Sequence, residues 1–156
     1  MPVIQRSALV PHPAEAMFDL VADVERYPEF LPWCGGARTI ERTETTQVAS
    51  LAVSKRLPGL GKPEFTTRNA LERPTRIDMD LEDGPFRRLR GTWRFVPLDE
   101  SSCRAELEVD FEFASRIVGR VIAPGFERAC DTVVDAFVAR AAEVLPGAAG
   151  ASGRDV

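Results

Sequence analysis

Histidine is almost missing from this 156-residue chain: His12, held between Pro11 and Pro13, is the only one. A Ser-His-Asp triad or a multi-histidine metal site therefore has nothing to be built from. Cysteine is scarce too. Cys34, Cys103 and Cys130 are odd in number, far apart and without a CxxC pair. That pattern excludes a disulfide framework, gives no structural zinc signature and points to a reducing compartment. No window approaches the ~18 consecutive apolar residues of a transmembrane helix. The opening Met1-Pro2-Val3-Ile4-Gln5-Arg6-Ser7 lacks the apolar stretch of a secretory leader. Positive charge is not in excess: 20 Lys and Arg against 24 Asp and Glu leave a formal net charge of −4. The global footprint of a nucleic-acid binder is thus absent, and DNA is not an expected partner. The expectation is a cytosolic, metal-free protein.

What is present is ordinary globular material, 44% hydrophobic and 28% charged. The length fits one domain, expected over residues 1–145, followed at 146–156 by a tail of small residues expected to be flexible. Residues 3–10 read as a strand closed by Pro11 and Pro13. Met17, Phe18, Leu20, Val21 and Val24 then recur at helical spacing, which predicts a short amphipathic helix over 14–24. Between Tyr27 and Trp33 two prolines prevent a long regular element, yet four large apolar side chains remain, which predicts a packed loop. Strands are predicted over 37–41, 47–56, 64–72, 76–82, 87–96 and 102–114, with connections too short for crossover helices, so the sheet is antiparallel.

The last two predicted strands test this pattern. Pairing Arg94 with Glu106 sets Arg90 opposite Asp110 and Arg88 opposite Glu112, while Trp93 meets Leu107 and Leu89 meets Phe111. One register satisfies both faces, so one face is apolar and the other a ladder of charge. The stripe Arg87, Arg88, Arg90 and Arg94 invites an RNA-binding reading, but the register assigns the outward Arg88, Arg90 and Arg94 to that ladder instead. Lys55, Arg56 and Lys62, around the longer loop, are less obviously neutralised and form the candidate contact patch for a ribosome or an anionic lipid, with plain solvated loop charges as the simpler role. From 116 to 145, Val118, Ile122, Phe126, Ala129, Val133, Phe137, Ala141 and Val144 form one apolar stripe at steps of three or four. Pro124-Gly125 is expected to kink that helix or split it in two.

Six motifs run in order along the chain: Tyr27-Pro28-Glu29-Phe30-Leu31-Pro32-Trp33-Cys34, Glu64-Phe65-Thr66-Thr67-Arg68-Asn69, Asp83-Gly84-Pro85-Phe86-Arg87-Arg88-Leu89, Gly91-Thr92-Trp93-Arg94-Phe95, Asp110-Phe111-Glu112-Phe113 and Ala136-Phe137-Val138-Ala139-Arg140-Ala141. In them the chain resembles the START-like (SRPBCC, helix-grip) superfamily. Within that superfamily it resembles the family of coenzyme Q-binding chaperones and ribosome-association (RatA) toxins. The opening up to Pro11 and Val53-Ser54-Lys55 are similar to the toxin branch, and Trp33 to the quinone-chaperone branch. Leu57-Pro58-Gly59-Leu60-Gly61 is longer than the family pattern.

The resemblance implies an α+β helix-grip fold: about seven antiparallel strands curved around a long C-terminal helix, with two short helices after the first strand. It also implies a cavity between sheet and helix that holds ubiquinone or a similar isoprenoid lipid, with no covalent cofactor. The expected lining is Tyr27, Phe30, Trp33, Phe65, Thr67, Asn69, Ile77, Met79, Phe86, Trp93, Phe95, Leu107, Val109, Phe111, Ile122, Phe126, Val133 and Phe137. Thr67 and Asn69 are the candidate anchors for a quinone carbonyl, with a backbone hydrogen bond as the plainer role of Asn69. Trp33 is either part of a plug or a gate facing a membrane surface. Outward acidic residues leave no acid–base pair for the cavity, so catalysis is not expected. The first functional reading is therefore a non-catalytic ubiquinone carrier supporting respiration, in the bacterial cytoplasm or peripherally at the inner membrane. The alternative is a toxin that binds the large ribosomal subunit and blocks subunit joining; a polyketide cyclase or aromatase ranks below both.

Overall fold

Alternating apolar residues build most of this molecule and one helical stripe completes it. The computed structural model describes residues 3–57 and 59–145, so the tail expected at 146–156 lies outside the described residues. The elements run β1 (Val3–Val10), α1 (Ala14–Ala22), a 3-10 helix (Val24–Glu29), β2 (Cys34–Arg42), β3 (Thr46–Val53), β4 (Glu64–Glu72), β5 (Arg76–Asp83), β6 (Phe86–Asp99), β7 (Ser102–Phe113) and α2 (Arg116–Val144). The strands form one antiparallel sheet in the order β1-β7-β6-β5-β4-β3-β2. Register breaks at Cys34/Gly36, Thr39/Glu41, Thr66/Thr67, Phe86/Arg88 and Pro97/Asp99. Such bulges bend strands and add twist, which curves the sheet around α2.

The predicted register of β6 and β7 is the observed one: Arg88, Arg90 and Arg94 stand opposite Glu112, Asp110 and Glu106, with Trp93 opposite Leu107 and Leu89 opposite Phe111. The ion pairs, however, run partly along diagonals. Arg88 reaches Glu112 at 3.2 Å and Asp110 at 2.9 Å, Arg90 turns to Asp80 on β5 at 3.0 Å, and Glu106 pairs with Arg104 at 3.0 Å. Arginine is long enough to select a diagonal carboxylate over the one directly across.

Helix α1 buries Ala14, Met17, Phe18, Val21 and Ala22, one face of a helix. It ends at Ala22, short of the expected 24. Its final carbonyls have side-chain partners: Val21 accepts from the Tyr27 hydroxyl and Ala22 from Gln47 Nε2 at 2.8 Å. The Pro28-containing stretch then tightens into the 3-10 helix.

Helix α2 starts where the Ser115 hydroxyl accepts from the Val118 N–H at 3.1 Å. It runs unbroken for 29 residues, so the expected split at Pro124-Gly125 does not occur. Pro124 cannot donate to Arg120, but it lies on the exposed side, while Ile122 and Phe126 pack inward on either side of it. The buried stripe is also turned slightly from the predicted one: Cys130 and Val134 are inside and Val144 is 47% exposed.

Candidate functional site

Two aromatic clusters hold α2 against the sheet. Phe126 packs on Phe111, Phe86 and Phe113 with ring centroids at 4.7, 5.1 and 5.9 Å. Phe137 packs on Phe30, Tyr27 and Trp93 at 5.1, 5.3 and 5.4 Å. Eleven residues of helix separate the two, about 16 Å at 1.5 Å per residue. Between them lies a cavity of about 290 Å³. Its sheet wall is Phe65, Thr67, Met79, Phe86, Leu89, Gly91, Trp93, Leu107 and Val109, and its helix wall is Val121, Ile122, Gly125, Phe126, Ala129, Cys130, Val133 and Phe137. Gly125 and Ala129 on the helix wall are small, and nothing lies within 4 Å of the place a Gly125 side chain would take. Gly91 has no side chain, and a Cβ there would come within 2.6 Å of Met79 Cε, so Met79 lies across the strand where a larger residue would stand.

The cavity meets solvent at the segment after β3. Leu51, Val53, Ser54, Lys55, Leu57 and Pro63 border it there, joined by Tyr27, Leu31, Trp33 and Pro85. Leu57 and Gly61 bridge across that segment, a turn that needs the left-handed Gly59 and Gly61 at φ 75° and 69°. Its base is fastened to the preceding loop, where Ser54 donates through its N–H to Trp33 O and through its hydroxyl to Pro32 O, both at 2.8 Å. Trp33 is half-buried with its indole N–H enclosed and unpartnered, so it is neither a fully exposed gate nor a fully packed plug.

Of the expected lining residues, Tyr27, Trp33, Phe65, Thr67, Met79, Phe86, Trp93, Leu107, Val109, Ile122, Phe126, Val133 and Phe137 border the cavity. Five others do not. Phe30 sits behind Phe137, beneath the Arg140 guanidinium at 5.0 Å, and Arg140 also pairs with Glu29. Phe95 is taken up by Phe18 and Trp93, and Phe111 by Phe113 and Phe126. Ile77 is buried opposite Leu71 and Trp93 near the α1 end of the sheet. Asn69 is no carbonyl anchor: its Nδ2 donates to Gln47 Oε1 at 2.9 Å and its Oδ1 accepts from Thr67 at 2.8 Å. Nor, among the described residues, does its side chain bond to backbone. Leu31, Leu51, Val53, Ser54, Leu57, Pro63, Pro85, Leu89, Gly91, Val121, Gly125, Ala129 and Cys130 also border it and are absent from the expected lining; alternation on β3 offers Leu51 and Val53, whereas loop residues carry no periodic signal.

Among the described residues, no Asp, Glu or His borders the cavity. The three thiols are buried, and burial is the leading cause that raises each: Cys34 and Cys103 upward, Cys130 up to about 12. Burial likewise pushes the Tyr27 phenol far above its ordinary range. A group whose pKa is raised by folding stabilises the fold fully below its unfolded pKa, and that contribution is lost as pH rises toward the folded value. For Cys130 the window runs from its ordinary 9.0 to about 12. The expected result is a urea midpoint that holds level up to about pH 8 and falls steadily above about pH 9. A midpoint that rose over that range would contradict burial of these groups.

Lys55, Arg56 and Lys62 are exposed beside the cavity mouth and make no ion pair among the described residues. Lys55 itself forms part of the rim.

A curved antiparallel sheet gripping a long helix over a cavity with an apolar described lining defines a helix-grip domain. Residues 10–138 match the family described as polyketide cyclase / dehydrase and lipid transport, and the chain belongs to that family. A Pseudomonas aeruginosa relative named ribosome association toxin RatA is 47% identical over 141 residues, covering 90% of this chain and 96% of its own. A relative from Schizosaccharomyces pombe named coenzyme Q-binding protein coq10, mitochondrial, is 28% identical over 142 residues, covering 86% of this chain and 84% of its own. Among solved structures, the Zhui aromatase/cyclase from Streptomyces sp. R1128 superposes with a TM-score of 0.76 at 22% identity, covering 91% of this chain and 94% of that one. That last likeness is one of fold.

Proposed function

We propose that this protein acts on the bacterial ribosome, binding the large subunit in the cytoplasm and hindering its joining to the small one. The observation that carries this is the 47% identity running over 96% of a protein named ribosome association toxin. It reverses the order of preference reached from the sequence, where the quinone carrier came first. The basic group at Lys55, Arg56 and Lys62 supports it, because cations without an ion pair among the described residues supply the local attraction that phosphate backbones require. The test is expression in a bacterial host followed by sucrose-gradient separation of ribosomes. Free subunits should accumulate at the expense of joined ribosomes, and an unchanged profile would overturn the reading.

The cavity favours a second reading on the same scaffold, the carriage of a ubiquinone-like isoprenoid. At about 290 Å³ it stands at the lower edge of the ~300–1,000 Å³ of ordinary ligand pockets. It would take a ring or a few isoprene units, leaving a longer tail to pass out beside Lys55, toward a membrane surface if the protein docks there. This role is non-catalytic, since the described lining lacks the carboxylates and imidazoles used to move protons.

A further inference from the structure

We infer that the cavity selects an apolar molecule whose head carries a hydroxyl, such as a hydroquinone or an isoprenoid alcohol, over its carbonyl or ether counterpart. The inference rests on the reading of the cavity as a ligand site. It comes from a chain of buried hydrogen bonds with only one allowed direction. The Ala22 carbonyl can only accept, so the Gln47 amide must present Nε2 to it, at 2.8 Å. Gln47 Oε1 then faces Asn69, which must offer Nδ2, at 2.9 Å. Asn69 is left with Oδ1 toward Thr67, so the Thr67 hydroxyl must spend its one proton there, at 2.8 Å. Gln47 and Asn69 are 1% and 3% exposed, so no water competes for these bonds.

Thr67 borders the cavity, and its oxygen accepts from no group among the described residues. Toward a ligand it can act only as an acceptor. The other two hydroxyls of the wall are committed in the same sense: Tyr27 donates to the Val21 carbonyl and Ser54 to the Pro32 carbonyl. Donors remain in three places. The Lys55 ammonium is exposed at the rim, Cys130 has a weak S–H, and the enclosed Trp33 N–H has no partner. The hydroxyls of the wall therefore welcome a proton and offer none. Asn69 and Gln47, which do not border the cavity, set this preference from behind by orienting Thr67.

The experiment is calorimetric titration of the full chain, under argon, with ubiquinol and ubiquinone bearing one isoprene unit, and separately with farnesol and its methyl ether. The hydroxyl form of at least one pair should bind about tenfold tighter, the ratio that one good hydrogen bond of roughly 1.4 kcal/mol produces. Whether the aromatic or the aliphatic pair shows it identifies the source of the hydroxyl. Thr67→Val should bring the ratio to about one. Asn69→Ala, which frees the Thr67 proton, should shift the ratio toward the carbonyl form. Equal or tighter binding of the carbonyl and ether forms to the unsubstituted protein would overturn the inference and leave the cavity a ligand site. A carbonyl preference lost in Trp33→Phe would overturn it by assigning the head contact to the indole. Failure of all four probes to bind folded protein would remove the ligand-site reading itself.

Discussion

Reversing Lys55, Arg56 and Lys62 to glutamate is expected to abolish binding to the large ribosomal subunit without disturbing the fold. All three side chains are exposed and none makes an ion pair among the described residues, so folding loses no ion pair when they change. Surface substitutions of this kind usually stay within about 0.5 kcal/mol of neutral. Binding is different, because each cation that neutralises a phosphate releases a counterion. Three such contacts give a log–log salt slope of roughly −2 to −3, so the unsubstituted protein should bind about 20- to 40-fold more weakly at 200 mM than at 50 mM salt. The triple variant should lose both the affinity and the slope. Undiminished binding with an unchanged slope would place the ribosome contact elsewhere on the surface.

Phe137→Ala is expected to be the most destabilising single truncation along α2. Phe137 is 1% exposed and meets Tyr27, Phe30 and Trp93 edge-on, so its ring ties the helix to the sheet and to the loop after α1 at once. Truncating a buried phenylalanine costs about 3–5 kcal/mol, the lost transfer energy plus the void left behind. For a domain of this size that corresponds to a fall of roughly 6–20 °C in Tm. The void would also adjoin an existing cavity, which limits how far the walls can collapse to close it. Phe30→Ala should cost less, since Phe30 is only partly buried. Urea unfolding of the two variants decides the matter: a loss below about 1 kcal/mol for Phe137→Ala would mean that this cluster does not hold the helix.

Most of the framework was legible because it obeys two short periods. Alternation on β6 and β7 determined their register, since a shift by one residue would have turned Trp93 and Leu107 to solvent and the arginines inward. The stripe from Ile122 to Ala141 marked α2 in the same way, almost to the residue. Where the reading failed, a tertiary contact had decided the outcome. Pro124 does not break α2: it lies on the exposed side, while Ile122 and Phe126 on either side of it turn inward toward the cavity. The diagonal arginine pairs depend on which carboxylate a long side chain reaches, and register alone does not state that.

The cavity was legible on its sheet and helix faces and not at its mouth. Leu57 and Pro63 belong to an irregular segment, Gly125 matters through what it leaves empty, and Gly91 through the room it gives Met79. The chain from Ala22 through Gln47 and Asn69 to Thr67 joins residues 22 and 25 positions apart, so no local pattern announces it. Asn69 looked like a ligand anchor because a buried amide facing a core is conspicuous. Its bonds are consumed inside the protein, and its influence on the cavity passes through Thr67.

The most direct test of the ribosome assignment uses purified components. Large and small subunits would be mixed under joining conditions with increasing amounts of this protein, and the products separated by sedimentation. The proposal requires the joined fraction to fall with dose while the protein travels with the large subunit and not with the small one. Full joining in the presence of excess protein, with the protein left at the top of the gradient, would contradict it.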